Sequence, residues 1–216
     1  MPVTVTGTLT HLFGNIVYEG GTLSYIITEE GRLVPTGTGD DRKFLYEYNE
    51  KDHLGNNRVT FMGTDLGGAI DIVQTTSYYP FGLVMNQYNG NIAPGYQKNK
   101  YLYNGKELQD DKMTSEALNW YDYGARFYDP QIGRWTVIDG KAEKYSSISP
   151  YVYAINIPIK FIYPDGNDIY IWYPTKDQNG HATQTSYRFD GTNSSSAPNN
   201  AFVKNVIQAY NYDISN

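Results

Sequence analysis

Apolar and polar positions alternate along most of this chain in short runs, and each run stops at glycine, asparagine, aspartate or proline. A period of two places every second side chain on one face of an extended segment, so the pattern predicts strands rather than helices. In residues 1–43 the segments 4–6 (Thr-Val-Thr), 15–18 (Asn-Ile-Val-Tyr) and 23–27 (Leu-Ser-Tyr-Ile-Ile) are predicted strands. Gly20-Gly21 falls between the last two and predicts a tight hairpin, because glycine takes a positive φ without steric cost. The next strand ends at Glu29-Glu30-Gly31, its partner begins at Arg32, and 36–41 is a loop without apolar content.

Residues 44–48 alternate, 51–57 turn, and 58–61 return. Segment 71–79 reads as a longer strand stopped by Pro80, and 86–99 as an Asn/Gly-rich loop. Residues 106–118 are the one mid-chain stretch with helical character, and their charge run reads as a solvated turn. The most informative stretch is 121–139. Asp129-Pro130 sets a turn, Gly133 closes it, short aromatic and β-branched runs lie on both sides, and Arg126 and Arg134 flank it. The expectation is strand, tight turn, strand.

Further on, 140–145 reads as one helical turn or an irregular loop, while 149–153 and 160–163 read as short extended pieces. Segments 168–173 and 186–189 are predicted partner strands, and 191–200 a Ser/Asn-rich linker. Apolar residues at 202, 203, 206, 207 and 210 predict a helix over 201–210. Tyr-x-Tyr recurs at 46–48, 101–103, 121–123 and 151–153, a degenerate repeat whose units bury a face only by stacking on neighbours.

Composition sharpens this picture. The 216 residues include 22 tyrosines and 21 glycines, a balance that favours sheets with many turns, in one large domain or two small ones. A net charge of −6 argues against nucleic acid as the main partner. The chain has no cysteine, so it has neither disulfides nor thiol chemistry. No apolar run is long enough for a membrane-spanning helix, and the first residues lack the basic and apolar regions of a signal peptide. His53 reads as a turn residue bonded to the backbone, the competing reading being a ligand or general base. His181, near Asp177 and Asp190, is either a loop histidine or a fragment of a nuclease or metal site. His11 also sits in a turn context. No nucleophile elbow or phosphate loop occurs, so no cofactor or metal is expected.

Residues 121–128, followed by Asp129-Pro130, Gly133-Arg134-Trp135 and Asp139, resemble the RHS repeat-associated core of YD-repeat proteins. The resemblance takes in residues 51–56, Arg58, 78–82 and 101–108 upstream. Downstream it takes in Ser149-Pro150-Tyr151, Pro158 and Pro164-Asp165-Gly166, so that it covers about 44–168. It implies an all-β fold of antiparallel hairpins wound into a spiral sheet, part of an RHS shell, with a short C-terminal helix. It divides the chain into degenerate hairpin repeats (1–43), the core (44–168) and a variable tip (169–216) that begins a truncated effector region. The implied role is the C-terminal shell portion of a bacterial polymorphic toxin, exported as part of a larger chain and secreted or held at the cell surface, where it scaffolds and presents a C-terminal effector. The implied partners are the upstream shell, an immunity protein and a secretion apparatus, with no nucleic acid bound by the core and no membrane span.

Cores of this family end in an aspartyl autoprotease that uses two aspartates. The first falls on Asp139, although Gly140 follows it where the family carries proline. The second position is Tyr163, in Tyr163-Pro164-Asp165-Gly166. Asp165 is the nearest reserve, offset by roughly 6–7 Å along an extended strand. Asn156 matches the family pattern, and Ile157 stands where a second asparagine is common. Asp139 and Asp165 are therefore the candidate catalytic residues of an impaired self-cleavage. Apart from the resemblance, both read as ordinary turn carboxylates. The alternative function is a secreted or cell-surface β-rich adhesion module whose tyrosine-rich sheets contact carbohydrate or protein. An unpaired edge of the spiral sheet would also favour self-association.

Overall fold

A computed structural model of the chain describes residues 10–37, 39–63, 69–85, 92, 96–110, 117–145, 148–189 and 196–215. Every strand pairing with a resolved register is antiparallel, and the one α-helix of the described residues lies at the C-terminal end. The expected all-β, antiparallel class with a short C-terminal helix is the observed one. The chain divides into two compact units, one built mainly from residues 1–78, 84–105 and 109–119, the other from 79–83, 106–108 and 120–216.

The first unit is a seven-stranded meander. Its strands are β1 (Thr10–Phe13), β2 (Ile16–Glu19), β3 (Thr22–Ile27), β4 (Gly31–Thr36), β5 (Lys43–Lys51), β6 (Asn57–Gly63) and β7 (Ile70–Thr75), each beside its neighbour in sequence. The β2–β3 hairpin closes through Gly20 and Gly21, whose φ values of 57° and 78° are what a two-residue turn matched to strand twist requires. Bulges at Val17/Tyr18, Glu50/Lys51 and Thr60/Phe61 interrupt the ladder, and bulges add local twist.

One face of this sheet is covered, and it is mixed: Val17, Tyr25 and Met62 are buried beside polar and charged side chains. Arg32 and Glu47, opposed across β4 and β5, pair at 2.6 Å with side-chain exposures of 3% and 1%. Arg32 also donates to the carbonyls of Gln97 and Lys98. Beside them, Asn49 Oδ1 accepts from Asn57, Thr60 and Asn99, while Gln74 both donates to and accepts from the Asn99 backbone. The opposite face carries a further set of aromatic and aliphatic side chains. The Tyr46 and Tyr48 rings stack at 4.2 Å, Phe61 lies 5.7 Å from Tyr48, and Ile72 remains 58% exposed.

The second unit holds a four-stranded sheet of order β11-β10-β9-β8 and a three-stranded sheet of order β12-β13-β14. The first comprises β8 (Glu107–Gln109), β9 (Trp120–Asp122), β10 (Phe127–Asp129) and β11 (Arg134–Trp135). The second comprises β12 (Phe161–Ile162), β13 (Ile169–Lys176) and β14 (Ala182–Phe189). The expected strand-turn-strand is β10–β11. Asp129 Oδ1 accepts from Gln131 N at 2.8 Å, and Gly133 takes φ 65°. Tyr121, Tyr128 and Trp135 form a cross-strand row that, with Tyr123, Tyr153 and Tyr163, makes a fully buried aromatic core. Helix α1 (Ala201–Ser215) buries Val203, Val206, Ile207 and Tyr210. Its first turn is capped by Asn200 Oδ1, and the Tyr210 ring lies 4.9 Å from that of Phe189.

Several local expectations change. Within 106–118, Glu107–Gln109 is a strand because its backbone joins the β9 ladder; residues 111–116 lie outside the described set. Strand β7 ends at Thr75, and Tyr78 keeps only a single bridge to Val84. Segment 149–153 is a turn with one bridge, Val152 to Arg134, rather than an extended piece. Residues 142–145 form a 3-10 turn, and α1 runs five residues beyond the predicted 210. The strand expected at 4–6, most of loop 86–99 and residues 190–195 lie outside the described residues.

Two outcomes follow from the first unit. A Cβ on Gly31 would lie 1.8 Å from the Glu47 carbonyl oxygen, so Gly31→Ala should cost about 3 kcal/mol or more in urea unfolding. Among the described residues β1 and β7 are edge strands, with Leu12 60%, Phe13 67% and Ile70 61% exposed. Open apolar edges recruit further strands, so sedimentation should show concentration-dependent association that a charge at Leu12 (Leu12→Lys) reduces.

Candidate functional site

The aromatic core of the second unit encloses one cation. Arg126 leaves the β9–β10 turn, and its side chain is 4% exposed. Its Nε donates to the Gly166 carbonyl at 2.6 Å. Nη2 lies 3.0 Å from Asp139 Oδ2, an ion pair whose alignment falls short of a hydrogen bond. The guanidinium stands 4.0 Å over the Trp135 ring and 5.6 Å from the Tyr163 ring. Burial lowers its pKa, and the negative charges of Asp139 and Asp165 act in the opposite direction. Arginine starts so high that it stays charged.

Asp139 is itself buried, at 7% exposure. Its Oδ1 accepts from Lys141 N at 2.7 Å, and its own N donates to the Pro150 carbonyl. Lys141 then reaches Asp168, with Nζ to Oδ1 at 2.5 Å, and Arg188 Nη2 approaches the other Asp168 oxygen at 2.8 Å. The turn that begins at Asp139 and the turn at Pro164–Asp168 are thus joined twice, through Arg126 and through Lys141. Gly166 takes φ 73°, and a Cβ there would lie 3.1 Å from Tyr123 Cβ, so any other residue would strain this approach of the turn.

Tyr163 is 1% exposed, with its ring 5.2 Å from Trp135 and 5.9 Å from Tyr153. Asp165 is exposed, and its Oδ1 accepts from the backbone N of Asn167 and Asp168, capping its own turn. It meets the cluster through its carbonyl, which accepts from Ala125 N at 3.4 Å, and through its charge acting on Arg126. Asp139 and the Tyr163–Gly166 segment therefore converge on one guanidinium, while the Asp165 side chain serves the turn.

From the pattern alone, Arg126 is only a residue flanking a turn. The available signal was a single cation inside an aromatic run, Tyr123-Gly-Ala-Arg-Phe-Tyr128, where strand alternation points it inward. Nothing in the pattern marked Lys141, Asp168 and Arg188 as a triad, since their union depends on tertiary contacts. Of the histidines, His53 is exposed in a turn. His181 sits in a loop with Nδ1 3.2 Å from Asp177 Oδ2, and Asp177 Oδ1 caps the same loop. Among the described residues no group of three or more His, Cys, Asp or Glu converges as a metal site would require.

No family model matches the chain. Over 115 residues, 53% of its length, it is 34% identical to salivary gland surface protein 1 of Aedes aegypti, and it spans 3% of that relative. Among solved structures it is similar to the crystal structure of TcdB2-TccC3-TEV, at TM-score 0.48 and 22% identity over 73% of this chain and 8% of that one. It is also similar to the Photorhabdus luminescens Tc holotoxin pore, at TM-score 0.43 and 19% identity over 73% of this chain and 7% of that one.

The Asp168 triad makes a pH-dependent contribution. Burial alone would raise this carboxyl, but Lys141 and Arg188 hold it below its ordinary 3.8. The unfolded chain therefore binds the proton first as pH falls, so the stabilisation is complete above 3.8 and is lost as pH drops through the lower folded value. Asp168→Asn should lower urea stability at about pH 7, and the loss should shrink as pH falls below 3.8 through the lower folded value.

Proposed function

We propose that the chain is the closing portion of an RHS-type shell, a scaffold that presents a C-terminal effector and retains the frame of an aspartyl self-cleavage site without its second acid. The observation that carries this reading is the convergence of Asp139 and the Tyr163–Gly166 turn on Arg126. An aspartyl mechanism needs two carboxyl groups close enough to share a proton, one acting as base toward water and the other as acid toward the leaving amine. Arg126 would stabilise negative charge between them. At position 163 the chain supplies a phenol, whose ordinary pKa of about 10 makes it a poor base at neutral pH. Asp165 caps its own turn and would need the backbone to rearrange before it could act.

The consecutive hairpins of the first unit suit a wall that continues into an upstream part of the shell, which is the first partner in this reading; an immunity protein and a secretion apparatus are the others. Export to the outside or the surface of the cell accords with the name of the Aedes aegypti relative, a surface protein. The tip from 169 onward is anchored where β13 pairs with β12, Phe161 opposite Ile171 and Ile162 opposite Tyr170.

Self-cleavage should be weak or absent in the chain as it stands. Tyr163→Asp should increase processing between Gly166 and Asp168, detected by mass spectrometry of the purified protein after incubation. Tyr163→Asn creates the same cavity without an acid and should not do so. Asp139→Asn should abolish whatever remains. Efficient cutting of the unaltered chain that survives Asp139→Asn would overturn the assignment.

A further inference from the structure

Residues 79–83 form a turn that two phenols tie to the aromatic core. Tyr79 N donates to the Leu83 carbonyl and Gly82 N to the Tyr79 carbonyl, each at 2.8 Å. Pro80 sits second in that turn, where its fixed φ is favourable. The Tyr121 hydroxyl donates to the Gly82 carbonyl at 3.1 Å, and the Tyr128 hydroxyl to the Phe81 carbonyl at 2.7 Å. A Cβ on Gly133 would lie 2.9 Å from the Phe81 ring, so this turn and the β10–β11 turn are in contact. A cleft of about 410 Å³ opens beside the contact, wholly within the second unit. Pro80, Phe81, Pro130 and Ile132 give it apolar walls, and Tyr79 and Ile132 are 47% and 69% exposed.

Arg134 also lines this cleft, half-buried. Arg32, Arg126 and Arg188 each pair with a carboxylate, on Glu47, Asp139 and Asp168. Arg134 does not. Its cross-strand neighbour Asp129 turns Oδ1 to Gln131 N. Among the described residues the guanidinium bonds instead to a neutral amide, Nη1 donating to Asn156 Oδ1 at 3.1 Å. The backbone is strained to place that amide. Ala154, Ile155 and Asn156 follow one another at φ 48°, 53° and 58°, in the left-handed region that residues with a Cβ avoid. Asn156 N donates to the Tyr153 carbonyl and Ile157 N to the Ala154 carbonyl, which closes the turn. Strain of this kind persists where a position matters. Here it orders the guanidinium before any ligand arrives and leaves its charge uncancelled.

An ordered cation at one end of an apolar cleft matches an anion carried on an apolar body. A carboxylate fits the planar fork of arginine with two parallel bonds. Free phosphate or sulfate would gain nothing from the proline, phenylalanine and isoleucine walls. Gln131 is exposed on the same cleft, and its side-chain amide has no partner among the described residues. That amide both donates and accepts, as the last peptide unit of a chain requires. The volume falls within the roughly 300–1,000 Å³ of ligand sites, and the open side lets the preceding residues leave.

We propose that this cleft binds the C-terminal residue of a peptide ending in a large apolar side chain, with Arg134 taking its carboxylate and Asn156 positioning Arg134. The site uses neither Asp139 nor Tyr163, so it stands or falls separately from the scaffold reading.

The test is titration calorimetry of the 216-residue chain with N-acetylated tetrapeptides ending in Phe, Trp, Leu or Ile. Each is offered as the free acid and as the C-terminal amide, with 3-phenylpropionate as a small free acid for comparison. At least one free-acid peptide should bind, and its amide should bind roughly tenfold more weakly. Arg134→Gln should abolish that difference. Asn156→Gly keeps the left-handed turn and removes only the side-chain amide. It should weaken the acid several-fold and leave the amide form unchanged, even if Arg134→Gln fails to fold. Ile132→Ser, at an exposed position, should weaken both forms alike. Equal binding of acid and amide would overturn the proposal, as would a preference for the acid that survives both Arg134→Gln and Asn156→Gly. So would failure of all four peptides to bind, or binding of 3-phenylpropionate as tight as that of the peptides, which would mark a site for a free acid instead.

Discussion

Burying a guanidinium inside a cluster of tyrosines and a tryptophan is the constraint on which residues 120–168 depend. A charge withdrawn from water is tolerable only when nearby groups replace the hydration it loses, and an unpaired one costs several kcal/mol. Arg126 obtains that replacement from an anion at Asp139, a backbone carbonyl at Gly166 and two aromatic faces. These partners come from two separate parts of the sequence, 135–139 and 163–166. The arginine therefore fixes where the turn after β11 and the turn after β12 must lie. Aromatic packing alone is permissive about such positions, because rings accept many edge and offset geometries; the directional demands of one cation remove that freedom.

The first unit solves a related problem by different means. Its covered face sets buried Val17, Tyr25 and Met62 beside a network in which Arg32 neutralises Glu47 while asparagine, threonine and glutamine side chains bond to one another. Such networks add little net stability compared with apolar packing, but they penalise register errors severely, because a shift of one residue strands several buried polar groups at once. In a meander whose strands otherwise look alike, the network distinguishes one pairing from its neighbours.

Much of this could be read in the chain beforehand. The Gly20-Gly21 hairpin, the Asp129–Gly133 turn and the apolar face of α1 follow from local rules, since each depends on residues a few positions apart. The pairing of 168–173 with 186–189 was also legible, though the hairpin extends further than expected, to Lys176 and Ala182. Alternation misled wherever tertiary contacts decide. Residues 106–118 carry helix-favouring side chains, yet Glu107–Gln109 is taken up by a ladder. The sequence patterning also gave no sign that Arg32, Glu47 and their polar neighbours would be covered, because the segment that covers them, around Gln97 and Asn99, reads as a plain loop. At the candidate site, Asp139 and Asp165 were named from a motif, but motif spacing says nothing about burial. That one lies inside the cluster and the other caps a turn in solvent is a property of the folded chain.

The short pairing of β12 with β13 bears on what a broken backbone would mean. Should the peptide be severed in the turn between them, the two ends would remain neighbours, because Phe161, Ile169 and Ile171 are buried and the ladder on either side of the break is intact. Scission and departure are then separate events with separate clocks. The first is set by chemistry and the second by how often a two-residue seam and its hydrophobic backing open on their own. A nicked molecule would migrate as two pieces under denaturing conditions and as one under native conditions. Its lifetime as an assembly would be a property of local unfolding rather than of the bond that was cut.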